Sequence, residues 1–478
     1  MAILRNQNGS TLFVSLMFSI IVLALAAVYI TANYLQIAPA VDTCRYVQAR
    51  FNAHAGLWRS LDELNRVHEE PAVLKTINTL DTSFANNQFS KPLTVESGSS
   101  LLSPSDTTQT PALYSSENFG TAEITTVYSG PFLIIQSEGL FQDRHKKSIA
   151  RICGSAFLAP ETTLYVQQPG RPAGGRFEGA VCDLSAALGT KAAHRPLIDS
   201  INPKLLATIV KESQSALSNS DTLFMPMMSA SVRHVKSSDE CANLPDTIKG
   251  PLLIDGSLST IVWQQRRTVY VLGDVQVTGK STLKNLTIIS SGEIRLLDDA
   301  TLDNVAIFST SRIFIGDRAV FAGSAIAQKR IIVYNMAIVR NKSVLVVTGD
   351  GSGPKQRHSP ADSAKTSADT SAYSLVIADK AVVDGCLVAM GVPGGILVAV
   401  GARVSGIVWA AQKVSCSGVI KGVVRAAGLV DDGTMTQSQN GAPPGNRLKG
   451  TIARLSTIAE YRLPVFMGRM RLESINDE

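Results

Sequence analysis

Leu283–Ile288 reads LKNLTI, Leu302–Ile307 reads LDNVAI, Phe321–Ile326 reads FAGSAI and Val339–Val344 reads VRNKSV. Each unit is an apolar residue, any residue, Asn or Gly, then a run of apolar and small residues. The units recur at spacings of 19, 19 and 18. After an interruption the pattern resumes as VDGCLVA (383–389), VSGIVWA (404–410) and IKGVVRA (420–426), spaced 21 and 16. A corner that must enter the left-handed backbone region is best supplied by Gly or Asn. Val, Ile and Leu that stack on the same positions of the next coil bury together what one coil leaves open. The spacing therefore predicts a right-handed parallel β-solenoid over 250–432. A sandwich with similar alternation would not hold the Asn or Gly in phase over seven units. The interruption at 350–372, DGSGPKQRHSPADSAKTSADTSA, reads as a disordered insert between rungs.

Outward from the repeat the signals weaken. The tail, 433–478, opens on TMTQSQNGAPPGNR, then gives a strand over Thr451 to Tyr461 that would cover an open solenoid edge, and a basic finish with Arg462, Arg469 and Arg471. Upstream, 161–249 has no strong period and is taken as a connector. In 71–160 the strand-like runs Ile124–Tyr128, Phe132–Gln136 and Ser148–Phe157 are broken by turn residues, which predicts an antiparallel head; its first part, 72–120, reads mostly as loop.

The N-terminal region, 10–70, reads as one long helix. Thr11 to Ala32, TLFVSLMFSIIVLALAAVYITA, contains no Asp, Glu, Lys, Arg or His. At 1.5 Å per residue it spans about 33 Å, enough for a hydrocarbon core of about 30 Å. Helical pattern continues through DTCRYVQARFNAHAGLWRSLDELNRVHEE, interrupted by Pro39, with Tyr46, Phe51, Leu57, Trp58, Leu61 and Leu64 as a loose apolar stripe, and Pro71 ends it. Three readings compete for the apolar run: a cleaved secretory signal, a plain signal anchor, and a third that depends on the leader MAILRNQNG, residues 1–9. That polar leader carries Arg5, ends in Gly9 and gives way to the apolar helix without a spacer.

The layout resembles a type IV prepilin, cut after a glycine at the cytoplasmic face. The resemblance implies processing between Gly9 and Ser10 by a prepilin peptidase, and methylation of the new terminus. Counting from Ser10, the fifth position is Val14 where major pilins carry Glu, and Ser10 replaces the commoner Phe. Minor pilins of the PilX type often lack that Glu, so the resemblance is to a minor component. LIIQSEGLFQDRHKKSIARI (133–152) is similar to the strand and turn pattern of minor pilin heads. VSGIVWA and IKGVVRA resemble bactofilins, β-helical scaffolds that polymerise end to end. The fold class implied is mainly β, with a long N-terminal membrane helix and a pilin-like α+β head ahead of the solenoid.

Charge and cysteines narrow the partners. The net charge of +6 comes from scattered basic residues with no block interleaved with aromatics, which argues against nucleic acid. The six cysteines, Cys44, Cys153, Cys182, Cys241, Cys386 and Cys416, include no CxxC pair, so no metal or redox site is expected. Their even count permits disulfides, with Cys182 and Cys241 as one candidate clasp and buried thiols as the alternative.

No catalytic constellation stands out. Asp298, Asp299, Asp303 and Asp317 are the acidic candidates for a polysaccharide-active solenoid, but Asp298 and Asp299 sit in LLDDATL, where Asp is ordinary turn chemistry. His358 lies in the polar insert, and no HxH, HExxH, GxSxG or P-loop occurs. The expectation is a non-enzymatic protein without cofactor, single-pass in the inner membrane with its bulk in the periplasm or on the cell surface. Its partners would be membrane lipid, other pilin subunits and the pilus assembly machinery, and an extracellular glycan or surface. The alternatives are an anchored bactofilin-like envelope scaffold and a polysaccharide-active β-helix enzyme.

Overall fold

The computed structural model describes residues 4–69, 92–94, 121–129, 131–155, 162–166, 172–183, 210–211, 214, 232–255, 260–349, 373–390, 394–430, 448–467 and 469–477. The insert 350–372, His358 and the leader's first three residues lie outside them.

Helix α1, Leu4–Glu69, runs unbroken through Pro39. Proline has no N–H to donate to the carbonyl four residues back, and Thr43 Oγ1 donates to the Pro39 carbonyl at 2.8 Å one turn on. Hydroxyls within the apolar half return to the helix in the same way: Ser19 to Ser15 O and Thr31 to Ala27 O. This half is long and apolar enough to cross a membrane.

The second half of α1 lies on an antiparallel sheet of five strands. Its order is β1 (Pro92–Thr94), β2 (Thr121–Ser129), β3 (Phe132–Phe141), β4 (Arg144–Ser155) and the C-terminal strand Arg469–Asp477. The sequence expectation for the helix stripe is only partly met. Leu57 and Leu61 are buried, whereas Tyr46, Phe51 and Trp58 are exposed, and the Leu64 side chain lies outside the described residues. Small residues make the contact instead. A Cβ built at Gly139 on β3 would lie 2.0 Å from Ala49 O and 2.4 Å from Ala53 N, and one at Gly56 would lie 2.4 Å from Ser137 Oγ. Backbone thus approaches backbone, and Asn52 Nδ2 fastens the crossing by donating to Leu140 O at 2.9 Å.

Beyond the head lies a parallel β-solenoid of about ten turns. Each coil has a short strand in a ten-stranded sheet and a longer strand in a second sheet, bent at the Asn or Gly corner. Leu283, Leu302, Phe321, Val339, Val383, Val404 and Ile420 pair one to the next in unbroken register, so all seven sequence units are rungs of one ladder. All seven side chains are buried in one core. Asn285, Asn304 and Asn341 have φ of 60°, 53° and 60°, and Gly406 and Gly422 have 129° and 143°, the left-handed geometry that selects these residues.

The solenoid begins before residue 250 and ends on borrowed strands. Arg233–Val235 pairs in parallel with Leu252–Ile254 as the first short strand. At the far end, Val419–Ala426 pairs with two pieces of chain at once: Thr451–Ala453 along its first leg and Thr162–Val166 along its second. Arg176–Phe177 and Ala180–Asp183 then add a further layer. The expected tail strand is therefore only Thr451–Ala453, followed by a 3-10 turn at Ile458–Glu460, and the segment taken as a connector supplies the closing rungs.

This placement separates the candidate clasp. Cys182 sits on the outermost strand of the closing end, while Cys241 sits on the short helix Ser238–Ala242 beside the opening rung. Nine or so rungs at about 4.8 Å keep them roughly 40 Å apart, far beyond disulfide reach, and no disulfide links them.

Head and solenoid share a second core. Phe308, Ile326, Val346, Val388 and Trp409 point out of the coil and join Phe132, Leu133 and Ile152 of the head and Val465 and Phe466 of the tail. The next residue in that outward column, Arg425, is buried over the Trp409 ring at 4.5 Å and donates to Ala410 O at 2.9 Å.

Candidate functional surfaces

The acidic candidates of the solenoid occupy one corner of the coil, where the chain turns with positive φ. Asp298 (59°), Asp317 (50°), Asn335 (51°) and Asp379 (48°) take this geometry in successive rungs, which Asp and Asn tolerate through local hydrogen bonds. Their side chains stitch rung to rung. Asp298 Oδ2 accepts from Gly279 N at 3.2 Å, Asp317 Oδ1 accepts from Asn335 Nδ2 at 2.7 Å, and Asp299 pairs with Arg318 at 3.0 Å. Asp298, Asp317, Asn335 and Asp379, together with Lys380, line a shallow groove of about 580 Å³. Asp303, at a different position of the coil, pairs with Lys284 at 3.3 Å. Every one of the four carboxylates is thus committed to a neighbouring rung.

A second surface, which reading the sequence missed, lies on the outer face of the short-strand sheet. Glu293, Arg295, Arg312 and Phe314 meet there. Glu293 Oε2 takes Arg295 at 2.7 Å and Oε1 takes Arg312 Nε at 2.6 Å. Both guanidiniums stack on Phe314, 5.6 and 5.4 Å from its centroid. Burial pushes the Glu293 carboxyl upward, but the hydrogen bonds and charge of the two arginines prevail and hold it below its ordinary value. The period carried a signal for this cluster, since Glu293 and Arg312 are 19 positions apart and therefore stack.

The third surface is the side of α1 turned away from the head sheet. Phe51 and Trp58, two turns apart, are 64% and 55% exposed, and Val47 lies one turn before Phe51 on the same side. They continue the all-round exposure of the apolar half, where Phe18, Leu23 and Tyr29 stand free.

Gly9 and Ser10 both lie inside α1. Backbone groups in a helix are already bonded four residues apart, so cleavage at that bond requires the first turns to unwind. Among the described residues no group of His, Cys, Asp and Glu could hold a metal ion. Burial pushes the thiols of Cys241 up to about 11 and Cys416 up to about 12, and raises Cys386 further, so these three are poor nucleophiles. No protein-family model matches the chain, and neither curated proteins nor solved structures give a significant match.

Proposed function

We propose that the chain is a non-enzymatic, membrane-anchored minor component of a type IV pilus or related secretion system, carrying the solenoid as a display surface. The observation that carries this reading is the division of α1. Its first half is apolar on every side, and its second half packs through Ala49, Ala53 and Gly56 on an antiparallel sheet while Phe51 and Trp58 face away. Such a helix inserts in lipid first and then offers the same free side to the helices of other subunits, where Ala24, Ala26 and Ala27 permit close approach. A prepilin peptidase would act between Gly9 and Ser10, and the solenoid would meet a glycan or another surface outside the cytoplasm.

The commitment of Asp298, Asp299 and Asp317 to rung-to-rung contacts favours display over turnover. The bactofilin-like scaffold is the second reading, supported by the uninterrupted valine-rich ladder. End-to-end stacking would have to occur against the composite closing rungs and not against the repeat itself, which weighs against it. Mechanical shearing of cells separates the two. A pilus component is recovered in the sheared filament fraction with its N-terminus at Ser10. A scaffold stays with the membrane and keeps residues 1–9, and that result overturns the proposal.

A further inference from the structure

Between Arg5 and Asp42 the helix carries no charge. The stretch from Thr11 to Val41, uncharged though it includes Asn33 and Gln36, is about 46 Å long at 1.5 Å per residue, which exceeds a hydrocarbon core of about 30 Å by roughly ten residues. Two depths in the bilayer are therefore open to α1: one near the leader, and one in which Asp42 reaches the headgroups. An excess of this kind is otherwise absorbed by tilt at modest cost.

What stands at the Asp42 level is the two-residue turn between β3 and β4. Arg144 pairs with Asp42 through Nε at 2.7 Å, Arg45 pairs with Asp143 at 3.6 Å, and Lys146 lies over the Tyr46 ring at 4.8 Å. The hairpin thus runs along α1 toward its apolar half and ends where the charge-free stretch ends. The first carboxylates met on leaving the apolar stretch are already neutralised by arginines, and Glu138 faces His145 at 3.2 Å. Among the described residues Lys146 and Lys147 form no ion pair, so cations outnumber carboxylates at the tip.

We propose that this hairpin tip is a docking surface for anionic lipid headgroups, with Lys146 and Lys147, the cations left over from those pairs, drawing α1 to its deeper position. The inference rests on the membrane reading above and adds to it which lipid charge the head meets and through which residues. Attraction of Lys and Arg to an anionic leaflet acts within about a Debye length of the surface, so only the deeper position engages it.

The test uses the full chain reconstituted into vesicles of phosphatidylcholine alone and of phosphatidylcholine with phosphatidylglycerol. Flotation reports anchoring, and amine labelling read by mass spectrometry reports Lys146 and Lys147 against Lys421 on the solenoid. The expected result is flotation with both vesicles and, only with phosphatidylglycerol, labelling of the two hairpin lysines reduced roughly fivefold and restored by high salt. Flotation with both vesicles and unchanged labelling overturns the docking surface while leaving the anchor intact. Failure to float with either overturns the anchor, and the docking surface with it. The variant K146Q/K147Q should float like the parent, and quenching by nitroxide lipids of a fluorophore attached to the exposed Cys44 should then no longer differ between the two vesicles.

Discussion

His54 Nε2 on α1 lies 2.8 Å from the carboxylate of Asp477 on the C-terminal strand, joining residues 423 positions apart. The same carboxylate accepts from Ser148 Oγ at 2.7 Å and takes Arg50 at 2.6 Å. Helix, β4 and the strand Arg469–Asp477 are therefore tied at one point.

Replacing this carboxylate by an amide should loosen the C-terminal strand. Asp477→Asn keeps one acceptor oxygen but gives up the charge, and at a partly exposed site the expected loss is about 1 kcal/mol. Hydrogen exchange of Arg469–Asp477, followed at increasing urea in the full chain, measures it.

The same group sets an acid dependence. Hydrogen bonds from Ser148 and His54 hold Asp477 down at about 2. A lowered value means the contribution is complete above the ordinary carboxylate range near 3.9 and is lost as pH falls toward 2. Stability of the head should fall through that window in the parent and fall less in Asp477→Asn; equal slopes would remove the assignment.

Gly139 tests the helix crossing. The Cβ of Gly139→Ala would meet two backbone atoms of α1, at 2.0 and 2.4 Å, and backbone does not yield as a flexible side chain does. The expected cost is about 1–3 kcal/mol, visible as faster hydrogen exchange in residues 45–57 while the solenoid's exchange stays unchanged.

The corner residues should respond to conformation more than to size. Gly422→Val places Cβ 1.9 Å from Gly406 O at a φ of 143° and should destabilise strongly. Asn304→Gly keeps the left-handed φ and loses mainly its bond to Asn285 Oδ1 at 2.8 Å, about 1 kcal/mol. Thermal unfolding of the two variants gives the ranking.

In the core, Phe321→Ala should cost about 3–5 kcal/mol, because its neighbours above and below, Leu302 and Val339, are held at fixed rung spacing and collapse little. Equilibrium denaturation measures it directly.

The solenoid was legible because its demands are local. A left-handed corner every 19 residues admits few residue types, so Asn285, Asn304 and Gly406 mark it in the sequence. The helix stripe was misread for a physical reason. Close approach to Gly139 requires Ala49, Ala53 and Gly56, so the large residues Phe51 and Trp58 are on the free side, and hydrophobicity alone points the wrong way. The composite rungs left no trace, since nothing near Leu164 indicates that it will pair with Val424. Glu293 and Arg312 fall between these cases: their spacing places them together, but only the coil's orientation places them outside it.

Because Arg469–Asp477 forms the outer edge of the sheet that holds α1, the head is completed only by a strand that the whole solenoid separates from β4 in the chain. Until that strand is in place the β4 edge is a bare row of unpaired backbone groups, open to chaperones and proteases. Closure of the head therefore follows, and does not precede, synthesis of the solenoid it packs against.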